Sequence, residues 1–206
     1  MKKLFSIFIP ITLMLLISAC SEAPKKAAQK KEPEKPAEPV TARTAFQQIF
    51  ASARAWAPDA QILQMTSVRL QNVKDEAGKA AAWQAVIVSP SRLRAKMFTY
   101  AVTEGPSNMR KGVFGSPDDA YTQRGQAKPF PVAGLKTDSD KALEVAMTKA
   151  AEYVKKNPDK PVTFLLEFTS VSPNPTWRVI WGDSIGSSNF SIFVDASTGE
   201  YLKTMH

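Results

Sequence analysis

The chain has 206 residues, with 27 Lys and Arg against 19 Asp and Glu, one histidine and one cysteine. Half of its net charge of +8 lies before Thr44, where eight basic and four acidic residues leave 19 against 15, or +4, for the remainder. So mild a surplus argues against a dedicated nucleic-acid surface, and a lone cysteine excludes an internal disulfide.

Lys2 and Lys3 precede an apolar run from Leu4 to Ile17, interrupted only by Ser6, Pro10 and Thr12. Crossing a bilayer takes about 20 apolar residues, so the run reads as the apolar region of a secretory signal over residues 1–19. Ile17-Ser18-Ala19-Cys20 resembles the bacterial lipobox, an aliphatic residue and two small ones before a cysteine. The resemblance implies cleavage before Cys20, diacylglycerol on its sulfur and an acyl chain such as palmitate on its amine. Several acyl chains hold a protein firmly on membrane lipid, where one would be marginal. Ser21 in place of Asp implies, in an envelope of Gram-negative type, sorting to the outer membrane on its periplasmic side. Residues 20–43 follow as a Lys-, Glu-, Pro- and Ala-rich stretch with almost no apolar bulk. Such a composition cannot offset the entropy of ordering the backbone, so it reads as a flexible tether.

From Thr44 the composition becomes that of a globular protein. Thr44 and Gln47 suggest a capping box, and Phe46, Ile49, Phe50, Ala53 and Ala57 recur at helical spacing until Pro58. Residues 62–73 read as a strand, 75–78 as a turn, then one strand carries Trp83, Val86 and Val88 and another Phe98, Tyr100 and Val102. The order then recurs. Thr137 to Asp140 supply helix-start residues, and Ala142, Val145, Ala146, Ala150, Tyr153 and Val154 form the stripe that Asn157-Pro158 ends. Strands follow over 162–171, around Trp177, Val179 and Trp181, around Phe190, Ile192 and Val194, and over 200–203. The expected fold is therefore α+β, with two tandem repeats of one helix packed on an antiparallel β-meander. The first unit is 44–104 and the second 138–206, joined by a Gly- and Pro-rich connector, 105–137, with at most a hairpin around Val113-Phe114 and Ala120-Tyr121.

Residues 138–204 resemble the PepSY domain. The matching features are the Ala-rich run from Ala142 to Ala150, Trp177-Arg178-Val179, and Val194-Asp195-Ala196-Ser197-Thr198-Gly199-Glu200-Tyr201-Leu202. The first unit lacks an Asp-x-x-Thr-Gly run after Val102 and would be a degenerate copy. The resemblance implies a small non-enzymatic module of the envelope that binds or restrains peptidases or other proteins.

Catalysis finds little support in the residues themselves. The one histidine is His206, the last residue, poorly placed as a general base. Gly182-Asp183-Ser184 resembles the serine block of the GDSL hydrolases but has neither that block's early position nor an Asp-x-x-His partner. Asp118-Asp119 and Asp138/Asp140 lack the glycine and closing glutamate of a calcium loop, so neither a metal nor another cofactor is expected. Arg92, Arg94 and Lys96 alternate and would share one face of a strand. They are candidates for contact with an acidic partner, or else protect a sheet edge. Trp56, Trp83, Trp177 and Trp181 fit a core better than a pocket. The sequence thus leads to a membrane-anchored, non-catalytic envelope lipoprotein that binds another envelope protein, or to a scaffolding lipoprotein of envelope assembly whose sheet edges add strands to a partner.

Overall fold

The computed structural model describes residues 36–106, 109–123, 125–186 and 189–206. The expected signal segment, the lipobox residues Ile17, Ser18 and Ala19, Cys20 and the tether as far as residue 35 lie outside the described residues.

In chain order the elements are α1 (Ala42–Trp56), β1 (Gln61–Val68), β2 (Ala82–Ser89), β3 (Arg94–Ala101) and β4 (Gly112–Ala120). After a single 3₁₀ turn (Val132–Gly134) come α2 (Ser139–Lys156), β5 (Val162–Glu167), β6 (Thr176–Trp181), β7 (Ser191–Asp195) and β8 (Tyr201–Met205). The expectation of two tandem units, each a helix on a meander of its own, is overturned by the sheet. All eight strands form one antiparallel sheet in the order β4-β3-β2-β1-β5-β6-β7-β8. Its centre is the β1–β5 pair, where Gln64, Met65 and Thr66 face Glu167, Leu166 and Leu165. A strand edge as apolar as β1 or β5 invites pairing if left open. Joining the two edges buries Met65 and Leu166 completely. Side-chain periodicity reports which face of a strand is buried, but not which strand lies beside it.

The join also makes one core. α1 lies over β2–β4 and α2 over β6–β8, on the same face of the sheet. Between them Trp83 meets Phe164 at 5.9 Å and Trp177 at 6.3 Å between ring centroids, edge to face in the second case. The helices reach the sheet with small residues, Ala42, Ala45 and Ala53 on α1 and Ala142, Ala146 and Ala150 on α2, all buried. Each core indole nitrogen also holds the chain ahead of a helix. Trp83 Nε1 donates to Val40 O at 2.9 Å and Trp177 Nε1 to Thr137 O at 2.8 Å.

α1 begins earlier than the sequence suggests. Its cap is Thr41, and Thr44 lies one turn inside the helix. Two of its first amides are satisfied from far along the chain, Ala42 N by Ser139 Oγ and Arg43 N by Asp138 Oδ1, each at 2.9 Å. Helix starts leave such donors without intrahelical partners, and here the start of α2 caps the start of α1. Ser139 Oγ then donates to Gly78 O at 2.6 Å, tying the 75–80 turn into the same node.

The connector holds more structure than its composition suggests. Gly112–Ala120 is one nine-residue strand, not a hairpin, paired along β3 from Ala101↔Gly112 to Arg94↔Ala120. Glycine, proline and aspartate disfavour strands, but an open neighbouring strand can impose one. β1 and β5 are shorter than expected, stopping at Val68 and Glu167, because the chain leaves the sheet there.

Candidate binding surface

The three basic residues singled out in the sequence sit at one end of the sheet. Arg92 lies in the β2–β3 turn, where its Nη1 donates to Trp56 O at 2.5 Å. Arg94 Nη2 donates to Asp118 Oδ1 and to Asp118 O, both at 2.7 Å. Lys96 pairs in register with Asp118, and its Nζ lies 5.5 Å from the centroid of the Phe98 ring. The residue that alternation did not point to is Asp118. It receives Arg94 and also the Trp56 indole N–H at 3.0 Å. The Arg94 hydrogen bond first, and then that of Trp56, hold its carboxyl below the usual aspartate range. β3 is paired on both sides, so these cations do not shield an edge.

The polar residues considered for chemistry do not converge. Asp183 of the Gly182-Asp183-Ser184 run pairs with Arg69 at 3.3 Å, and the His206 ring lies against Phe190 with centroids 5.3 Å apart. Asp138 caps α2, and Asp118 is bound to Arg94. Among the described residues no three His, Cys, Asp or Glu are grouped as metal ligands would be.

The sheet ends in two edges of different character. β4 carries Pro117, which has no N–H, two glycines and Asp118-Asp119, and a register shift interrupts its pairing with β3. These are features that discourage a further strand. β8, with the sequence Tyr-Leu-Lys-Thr-Met, has no proline or glycine, and its register shift lies near its start, between Phe193 and Val194 of β7. Cations stand on both sides of it. On the helix side Lys149 Nζ lies 5.0 Å from the Tyr201 ring centroid. On the other side Lys203 Nζ and the Arg178 guanidinium lie 4.8 and 5.7 Å from that of Phe193. Between α2 and β8 is a niche of about 310 Å³, bordered by Lys149, Lys156, Glu152, Tyr153, Phe190 and His206. The Tyr153 and Phe190 rings stack at 3.9 Å and 5°.

Asp195 aims β8. It is 4% exposed, and Oδ1 accepts from the amides of Ser197 at 2.8 Å and Thr198 at 3.0 Å. Oδ2 accepts from Ser172 Oγ at 3.0 Å and Asn174 Nδ2 at 3.1 Å. Burial pushes the carboxyl up, but the hydrogen bonds from Thr198, Ser197, Asn174 and Ser172 prevail and leave it below its ordinary value. Gly199 completes the turn at φ +80°. Asp59 is held down similarly, to about 2, by Ser89 Oγ and the Ser91 amide. An aspartate depressed in the fold contributes stability that is present above its unfolded value and lost as pH falls through the folded one. The midpoint temperature should therefore fall between pH 4 and pH 2, and Asp195→Asn should flatten that decline in a calorimetric pH series. Asp195→Ala, which strands four donors, should cost on the order of 2–3 kcal/mol in denaturant unfolding at pH 7.

Comparison of the chain with protein-family models, curated proteins and solved structures finds no match.

Proposed function

We propose that the protein is a lipid-anchored envelope lipoprotein, held to the membrane through Cys20, whose folded part is a non-catalytic binding module. It takes up an extended acidic segment of another envelope protein along β8. The observation that carries this reading is the β8 edge itself, free of proline and glycine and flanked by Lys149 and Lys203, whereas the opposite edge of the sheet, β4, discourages pairing. A strand added to an open edge gains affinity from main-chain hydrogen bonds, and the flanking charges select the partner. The same lysines disfavour pairing of β8 with a second copy of itself, since like charges would face each other. The likeness of residues 138–204 to PepSY modules supports restraint of a peptidase as the outcome of binding. A scaffolding role in envelope assembly is the second reading, favoured by the same edge, because strand addition serves it equally.

The test places a photo-reactive residue at Thr204 on β8 or at Ser116 on β4 in the native lipoprotein. Adducts with one envelope protein should form from position 204, and the Lys149→Glu/Lys203→Glu pair should reduce their yield roughly tenfold. Adducts from position 116 only, or a yield untouched by charge reversal, would overturn the β8 reading. A peptidase in the adduct identifies the restraining role, and a cell-wall or assembly component the scaffolding one. The anchor is tested separately, by loss of labelled fatty acid from the Cys20→Ala variant.

A further inference from the structure

A cleft of about 560 Å³ opens between the β1–β2 connection, residues 69–79, and the α2–β5 turn around Pro158–Val162. The volume falls within the range usual for small-ligand sites, about 300–1,000 Å³. Its floor is apolar, made by Leu143, Val162 and Phe164, with Leu70 and Val73 on one wall. The wall facing α2 is firmly built. Leu70 and Val73 are buried in a second apolar cluster with Ala81, Ala82 and Ala101. Ser139 bonds Gly78 O at the far end of the same wall.

Polar groups at the rim fall into two kinds. Arg69 is committed, to Asp75 and Asp183 at 3.3 Å each, and Asp75 also accepts from Ala81 N. Lys74, Lys79 and Lys160 reach the cleft from two separate segments. Among the described residues none of the three forms an ion pair. Exposed lysines are ordinarily a solvated surface. Here Lys74, Lys79 and Lys160 line one cavity over an apolar floor, against the single exposed carboxylate of Glu76, while its more buried acid, Asp75, is already bound to Arg69. Lys74 and Lys79 also border a neighbouring cleft with Glu38. Such a site rewards a ligand that brings a negative head to the lysines and an apolar arm to the floor.

We propose that this cleft binds an anionic amphiphile, a carboxylate or phosphate head on an acyl chain. The lysines hold the head, and Leu143, Val162 and Phe164 receive the first part of the chain. The site is separate from β8 and stands or falls independently of it.

The test is calorimetric titration of laurate, below its micellar concentration, into the mature chain from position 20 carrying Cys20→Ser. One molecule should bind per chain. Lys74→Gln/Lys160→Gln should weaken binding at least tenfold at unchanged melting temperature, since both side chains are exposed. Lys149→Glu/Lys203→Glu should leave laurate binding intact while reducing adducts at β8 roughly tenfold. Dodecyl phosphate should bind like laurate, because the head is recognised by charge. Lauryl alcohol, which has no charge, should bind at least tenfold more weakly, as should inorganic phosphate, which has no apolar arm. The proposal is overturned by absence of laurate binding or by affinity indifferent to Lys74 and Lys160. It is equally overturned if lauryl alcohol or inorganic phosphate binds as tightly as laurate.

Discussion

Gly78→Ala is expected to lower the melting temperature by roughly 10 °C, or about 3–5 kcal/mol in denaturant unfolding. A Cβ on Gly78 would collide with Asp140 Cα and come within 2.7 Å of Asp140 N and 2.9 Å of Ser139 O. These are backbone atoms of the first turn of α2, and no rotamer change relieves them. The residue also sits at φ +83°, where an L side chain is strained. Moving α2 away would stretch the 2.6 Å bond from Ser139 Oγ to Gly78 O, and with it the cap that Ser139 supplies to Ala42 N. A single methyl group thus bears on two helix starts and one turn. Gly112→Ala is the control. Gly112 has φ +87° but nothing within 4 Å of its would-be Cβ, so it should show the backbone strain alone, about 1 kcal/mol. Equal costs for the two substitutions would show that the turn does not approach α2 so closely.

Replacing Trp83 and Trp177 should show that the two halves of the sheet share one core. Both side chains are fully buried, and their rings are in edge-to-face contact. Trp→Phe at either position removes volume and leaves Val40 O or Thr137 O without its indole donor. Each single change should cost about 2–3 kcal/mol. Because the rings touch, the double variant should depart from additivity by about 0.5 kcal/mol or more. Chemical denaturation followed by tryptophan fluorescence and by circular dichroism should give one coincident transition. Strict additivity with two separate transitions would instead describe two lobes that fold independently.

Much of the local structure is legible in the residues. The alternation of Trp177, Val179 and Trp181, and of Phe98 and Tyr100, places strands where they occur. The Ala142–Ala150 stripe and Asn157-Pro158 place α2 and its end. Asp195 is recognisable as a turn residue because a carboxylate two and three residues ahead of free amides is a local arrangement. The candidate site is less visible. Nothing in Tyr201–Met205 marks it as the last strand of a sheet, since that depends on what lies beside β7. Likewise the spacing of Arg94 and Lys96 shows that they share a face, but their partner Asp118 comes from a strand hidden in Gly, Pro and Asp composition.

The residues alone therefore place both helices, most of the strands and the tight turns, because each follows from interactions within a few positions of sequence. Strand faces are less secure, since Val86 and Val88 lie on the opposite face of β2 from Trp83, which shares the core with Ala85 and Ile87. They also carry the case for lipidation at Cys20, which rests on a contiguous motif. Pairing is different. The β1–β5 join, the conversion of Gly112–Ala120 into a strand, and the capping of α1 by Asp138 and Ser139 all depend on groups tens of residues apart. Their free energy comes from closing an open strand edge and satisfying orphan amides, and those demands arise only once the elements meet.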